Sequence, residues 1–75
     1  MTYTFELKYK EIGGYYVELE TEIRYGRQVY RAAMHKTYDG GCTYRTIKES
    51  TTPKKQNAMA TYRRYVKQAT NEVNG

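Results

Sequence analysis

His35 is the only histidine and Cys42 the only cysteine in this 75-residue chain. A Ser-His-Asp or Cys-His arrangement would need Ser50 or Cys42 as the nucleophile beside that imidazole. The strand pattern derived below puts Ser50 beyond the far end of its strand from His35. Cys42 falls nearer, but one histidine and one cysteine are poor material for a dyad. His35 instead lies beside Glu18 and reads as a surface histidine paired with a carboxylate. Glu18, Glu20 and Glu22 recur at every second position, about 7 Å apart along one strand face. Paired carboxylates at such a spacing serve glycoside hydrolysis or cation binding. A flat sheet face offers no cleft for either, and Lys8, Arg31 and His35 are placed to neutralise the charges. These are ordinary solvated ion pairs. Gly13-Gly14 and Gly40-Gly41 lack the Lys-Ser/Thr of a phosphate loop and read as turns. The sequence therefore predicts no catalytic residue, no metal ligand and no cofactor.

The basic side chains are more suggestive. Arg63, Arg64 and Lys67 share the outer face of a C-terminal helix. Lys54 and Lys55 fall in its first turn, where cations oppose the helix dipole. Their presence at that cost hints at a ligand outside. Arg24, Arg27, Arg31 and Lys48 gather at one end of the sheet's open face. Phosphate backbones are held by such residues. Residues 1–23 hold two lysines and five glutamates, a balance of −3, while residues 24–75 hold eleven basic and three acidic side chains, a balance of +8. Nucleic acid or an acidic protein is the partner to expect. The bland reading is charge that keeps a small domain soluble. Tyr16 and Tyr44 are the aromatics expected on the open face, with three glutamates between them, a poor platform for stacking bases.

The elements that must position these residues follow from periodicity. Residues 15–25 alternate apolar and polar, with Val17, Leu19, Thr21, Ile23 and Tyr25 on one face and Tyr16, Glu18, Glu20, Glu22 and Arg24 on the other. That pattern is a strand with one dry and one wet face. Before it, Tyr3, Phe5, Leu7 and Tyr9 alternate over residues 2–11. A three-residue loop Ile12-Gly13-Gly14 places Tyr9 opposite Val17 and Leu7 opposite Leu19. A strict two-residue turn would put Lys10 opposite Val17 and mix the faces. After it, Gly26 at the first central position of a type II′ turn starts a third strand over residues 28–38. Ile23 then faces Tyr30, Leu19 faces Met34 and Glu18 meets His35. Asp39-Gly40-Gly41 leads to a fourth strand over residues 42–49. Its register is open: one choice puts Ile47 inside with Arg45 beside Met34, and the other puts Cys42, Tyr44 and Thr46 inside. Thr52 as cap and Pro53 at the first helical position open a helix to about residue 71. Ala58, Met59, Tyr62, Tyr65, Val66 and Ala69 form its apolar stripe.

The fold class is α+β: a four-stranded antiparallel meander with one C-terminal helix across a face, in one domain over residues 1–75. Such a chain buries about 60% of its unfolded surface, so the core is thin. Ten tyrosines suit it, with rings inside and hydroxyls at the rim. They also suit a contact surface. One cysteine excludes an internal disulfide and favours an intracellular, cytoplasmic chain. No apolar run nears the roughly 20 residues that span a bilayer, and no signal-peptide pattern precedes the first strand. The ββββα order resembles, in topology, the single-strand-binding transcription-coactivator fold, the arm-binding domains of some phage-type integrases, and small phage inhibitors of host defence nucleases. The expected function is non-catalytic binding of nucleic acid or a nucleoprotein complex. The alternative is a phage-type inhibitor or adaptor, such as an anti-CRISPR or other anti-defence protein, that grips a partner protein through the tyrosines or an edge strand. A third reading is a homodimer joined through an edge or the open face.

Overall fold

The computed structural model describes residues 2–75. Four strands, β1 (Thr2–Ile12), β2 (Tyr15–Arg24), β3 (Arg27–Tyr38) and β4 (Thr43–Thr52), precede one helix, α1 (Lys55–Asn74). The strands form one antiparallel sheet in the order β1-β2-β3-β4, and α1 packs across it. The ββββα architecture is as the periodicity predicts. Val17 and Leu19 of β2, Ala32 and Met34 of β3, and Ala58, Tyr65 and Ala69 of α1 make the buried core. Met59, Tyr62 and Val66 pack against it half-buried, so the helix stripe faces the sheet as expected.

The registers differ from the expected ones. The β1–β2 connection is the tight Gly13-Gly14 turn, with Ile12 opposite Tyr15 and Lys10 opposite Val17. A bulge between Glu6 and Lys8 then absorbs one residue, Leu7, and restores Phe5 opposite Thr21 and Tyr3 opposite Ile23. A bulge sets two residues against one, so side chains on its two sides follow opposite parities. Lys8, Lys10 and Ile12 thus lie on the helix side, whereas Tyr9 and Glu11 lie on the open face. Tyr9 and Leu7 are not the inner residues the alternation implies. Ile12, expected in a loop, packs against the core instead.

The β2–β3 turn is centred on Tyr25-Gly26, with φ 53° and 78°. Two left-handed residues make it type I′ rather than II′. Ile23 therefore faces Gln28, Leu19 faces Ala32 and Val17 faces Met34. The slip is two residues, so every side chain keeps its expected face. A short 3-10 turn, Asp39–Gly41, leads into β4. There a second bulge separates Met34 opposite Lys48 from His35 opposite Thr46. Neither expected register of β4 holds. Ile47 sits in the bulge and is exposed, Tyr44 and Thr46 face the open side, and Arg45 and Lys48 face the helix side.

The sheet runs on to Thr52, and the helix begins two residues later than expected. Thr52 closes β4, and its hydroxyl accepts the Lys54 N–H at 3.2 Å. Pro53 precedes the helix and Lys54 stands at the cap position, so α1 has no side-chain cap of its own. At the far end α1 extends to Asn74, where the Gly75 N–H donates to the Asn71 carbonyl at 2.7 Å. Val73 there lies over Gly13, whose hydrogen stands where a Cβ would come within 2.6 Å of Val73 Cγ2.

Candidate functional site

The bulges sort the charges by side of the sheet. Glu6, Glu11, Glu18, Glu20, Glu22 and Glu49 lie on the open face, which takes six of the chain's eight acidic side chains. Arg24, Arg27 and Arg31 are the basic residues there. The other ten basic residues stand on the helix side or on the helix. Lys8 and Lys10 come from β1, Lys36 from β3, and Arg45 and Lys48 from β4. Lys54, Lys55, Arg63, Arg64 and Lys67 come from the helix and its approach. The sequence divides charge between its first third and the remainder; the fold divides it between two faces.

The two groups of cations differ in their partners. Every ion pair among the described residues lies on the open face. Arg31 spans three strands, reaching Glu20 at 2.8 Å and Glu18 at 3.2 Å on β2 and Glu49 at 2.7 Å on β4. Burial disfavours its charge, but the hydrogen bonds to Glu49 and Glu20 outweigh that and hold its pKa above the ordinary guanidinium value. Arg24 pairs with Glu22. On the helix side, Lys48 donates to the neutral Gln68 amide at 2.8 Å, Lys36 sits 6.0 Å from the centre of the Tyr15 ring, and Arg64 leans on the Thr61 hydroxyl. Among the described residues none of these ten cations meets a carboxylate.

The expected site residues therefore separate. Arg63, Arg64, Lys67, Lys54 and Lys55 share the helix side. Lys8, Lys10, Lys36 and Arg45 join them there, outside the expected set. The signal for the lysines of β1 was the mixed-face register that a tight glycine turn demands. Lys48 does not stand with the open-face arginines but on the opposite side. Arg31 is occupied by three carboxylates, while Arg24 and Arg27 do face each other beside the Tyr25-Gly26 turn.

Tyr16 and Tyr44 lie on the open face as expected, but glutamates do not separate them. His35 sits between them, with ring centroids 5.8 Å from Tyr16 and 4.9 Å from Tyr44. Tyr9, turned outward by the bulge, adds a fourth ring 5.7 Å from Tyr16. One aromatic row thus crosses all four strands. It covers His35, which is 3% exposed rather than a surface residue. The imidazole keeps its expected carboxylate, with Nε2 3.4 Å from Glu18, and Nδ1 lies 2.8 Å from the Thr46 hydroxyl. Hydroxyl, imidazole and carboxylate stand in the order of a nucleophile relay. The rings closing over the imidazole leave it a clamp between three strands. The Tyr16 hydroxyl donates to Glu6 at 2.6 Å. Burial, then the Glu6 hydrogen bond and the charges of Glu6 and Glu18, push its pKa above the ordinary phenol value.

Among the described residues no cluster of His, Cys, Asp and Glu has the geometry of a metal centre, and no helix is long and apolar enough to cross a membrane. The chain matches no protein-family model, no curated protein and no solved structure.

Proposed function

We propose that the chain is a non-catalytic nucleic-acid-binding protein that meets phosphates with its helix side. The observation that carries this reading is the partnering of charge: among the described residues ten cations without a carboxylate stand on one side, while the ion pairs lie on the other. Cations kept for intramolecular stability or bare solubility have no reason to segregate. Cations that follow a phosphate backbone do. Arg63, Arg64 and Lys67 form the crest on α1. Lys8 and Lys10 of edge strand β1 flank the helix on one side, and Lys36 of inner strand β3 with Arg45 and Lys48 of edge strand β4 flank it on the other. Lys54 and Lys55 extend the patch along the helix approach.

The test is fluorescence anisotropy with labelled single- and double-stranded DNA and RNA across a salt series. Affinity falls steeply with salt, because each neutralised phosphate releases a counterion. Changing Arg63, Arg64 and Lys67 together to glutamine leaves the fold intact and lowers the slope of log K against log salt by about 2–3, near 0.9 per lost phosphate contact on duplex. Absence of binding at low salt rejects the reading.

A second reading has its own observation. β1 is an edge strand of 11 residues whose Tyr3, Phe5, Leu7 and Tyr9 are 42–60% exposed. Such an edge with aromatic side chains suits strand addition by a partner protein, the mode of an inhibitor or adaptor. Binding of that kind survives nuclease treatment and depends little on salt.

A further inference from the structure

We infer that the aromatic row on the open face is the docking site for an arginine- or lysine-bearing segment of a partner protein. The row itself carries the inference. Tyr9, Tyr16, His35 and Tyr44 run ring to ring across four strands, yet the core lies on the other side of the sheet. Tyr9 and Tyr44, at its two ends, are 60% and 67% exposed. Rings held in line beside solvent can receive bases or cations, and the surrounding charge decides between them. Glu6 and Glu18 flank Tyr16, and Glu11 stands opposite it on β1. Where the row meets the two turns, Tyr16 and Tyr44 help line a concavity of about 790 Å³ with Glu11, Glu18 and Asp39. No lysine or arginine lines it. A phosphate chain is repelled there. An alkylammonium or guanidinium is attracted by the carboxylates and by the ring faces together.

Charge complementarity also fixes the kind of partner. The open face carries six glutamates against three arginines, a balance of −3 inside a chain of +5. The opposing helix-side charge does not cancel this in solution. The molecule is 16 Å through its shortest axis, about twice the screening length at physiological salt. A basic segment therefore meets the local field of the acidic face. The inference does not rest on nucleic-acid binding, which would use the opposite side.

The experiment is a titration of the full chain with a hexa-arginine peptide at physiological salt, followed by amide chemical shifts and calorimetry. The controls are hexa-citrulline, which keeps the shape without the charge, and a thymidine oligonucleotide. Hexa-arginine shifts the amides around Tyr9, Tyr16 and Tyr44, and hexa-citrulline binds at least about tenfold more weakly. The double variant Tyr9→Ala/Tyr44→Ala removes two exposed rings outside the core. It stays folded, with a melting temperature lowered modestly because Tyr44 packs on His35, and loses about tenfold in affinity for hexa-arginine, the size expected of one or two cation–π contacts. Equal binding of citrulline and arginine overturns the inference, and that arm stands even if the variant fails to fold. Unchanged arginine binding by the folded double variant also overturns it. So does an oligonucleotide that shifts the same tyrosines, which makes the row a base platform. Self-association in sedimentation that vanishes in the variant makes the occupant a second copy instead, and overturns the partner assigned here.

Discussion

Arg31 and Arg63 carry the same guanidinium in opposite circumstances. Arg31 is bound by three carboxylates from two strands, so its charge ties the sheet together. Arg63 is exposed on the helix with no carboxylate near, so its charge is available to a ligand. Sequence position distinguishes them only once strand faces are known. Tyr16 shows the same dependence on surroundings. Its pKa is raised by burial and by Glu6 and Glu18, so the native state holds its proton to higher pH than the unfolded chain does. Above about pH 10, where unfolded tyrosine ionises, the unfolded state binds fewer protons and stability falls as pH rises. Denaturant titrations from pH 8 to 11 show that decline, and Tyr16→Phe makes it shallower. Tyr62, raised by burial, supplies part of what remains. Tyr25 is a different case. At φ 53° and 85% exposed, it holds a left-handed backbone that its side chain does nothing evident to stabilise. Asparagine suits the first central position of a type I′ turn far better. Tyr25→Asn raises the urea midpoint by an equivalent of about 1 kcal/mol with an unchanged slope.

The strands and the helix were legible because their periods are clean. Residues 15–24 alternate without a break, and the α1 stripe repeats at three and four residues. Both run the way their patterns say. The turns misled for a local reason. Two-residue hairpins centred on Gly13-Gly14 and Tyr25-Gly26 were readable only if a tyrosine was allowed φ > 0 and a lysine was allowed opposite Val17. The bulges at Leu7 and Ile47 were hidden for the same reason. Each places a large aliphatic residue at an irregular, exposed position, which an alternation rule counts as core. The aromatic row is half legible: the pattern places Tyr16 and Tyr44 on the open face, but Tyr9 needs the bulge to reach it. The basic face was legible on the helix and hidden on the edge strands. Gly13 sharpens the point, since it serves two elements at once. It has φ 56° and lies under Val73. Gly13→Ala meets both the backbone strain and the clash, and costs about 2 kcal/mol in chemical denaturation. Gly40→Ala meets strain alone, with nothing within 4 Å of the added carbon, and costs about half as much.

Taken as one body, the protein is a thin plate with opposite charges on its two faces. The cations of the helix side repel one another, and the ion pairs of the open face attract. Added salt weakens both, but unequally: exposed charges are screened strongly, whereas the Arg31 cluster, with its guanidinium half-buried, is screened less. Relief of repulsion wins. The melting temperature rises between about 0.01 and 0.3 M sodium chloride, over which the screening length falls from about 30 Å to under 8 Å. In the Arg63→Gln/Arg64→Gln/Lys67→Gln variant the rise is smaller. A wild-type melting temperature that falls with salt would mean the open-face ion pairs dominate stability.

The strand order β1-β2-β3-β4 bears on how the chain reaches this shape. Each ladder joins neighbours in sequence, so each hairpin closes a short loop at little entropic cost. The far contact is Val73 on Gly13, which joins the last turn of the helix to the first turn of the sheet. The three ladders can zip outward from the β2–β3 hairpin before the helix arrives, and hairpin pairing of this kind favours faster folding than a sheet joined by long crossovers. Docking of the helix C-terminus, the most distant closure in sequence, then falls late. Truncating Val73 to alanine, which touches this late contact alone, accelerates unfolding while leaving the refolding rate almost untouched.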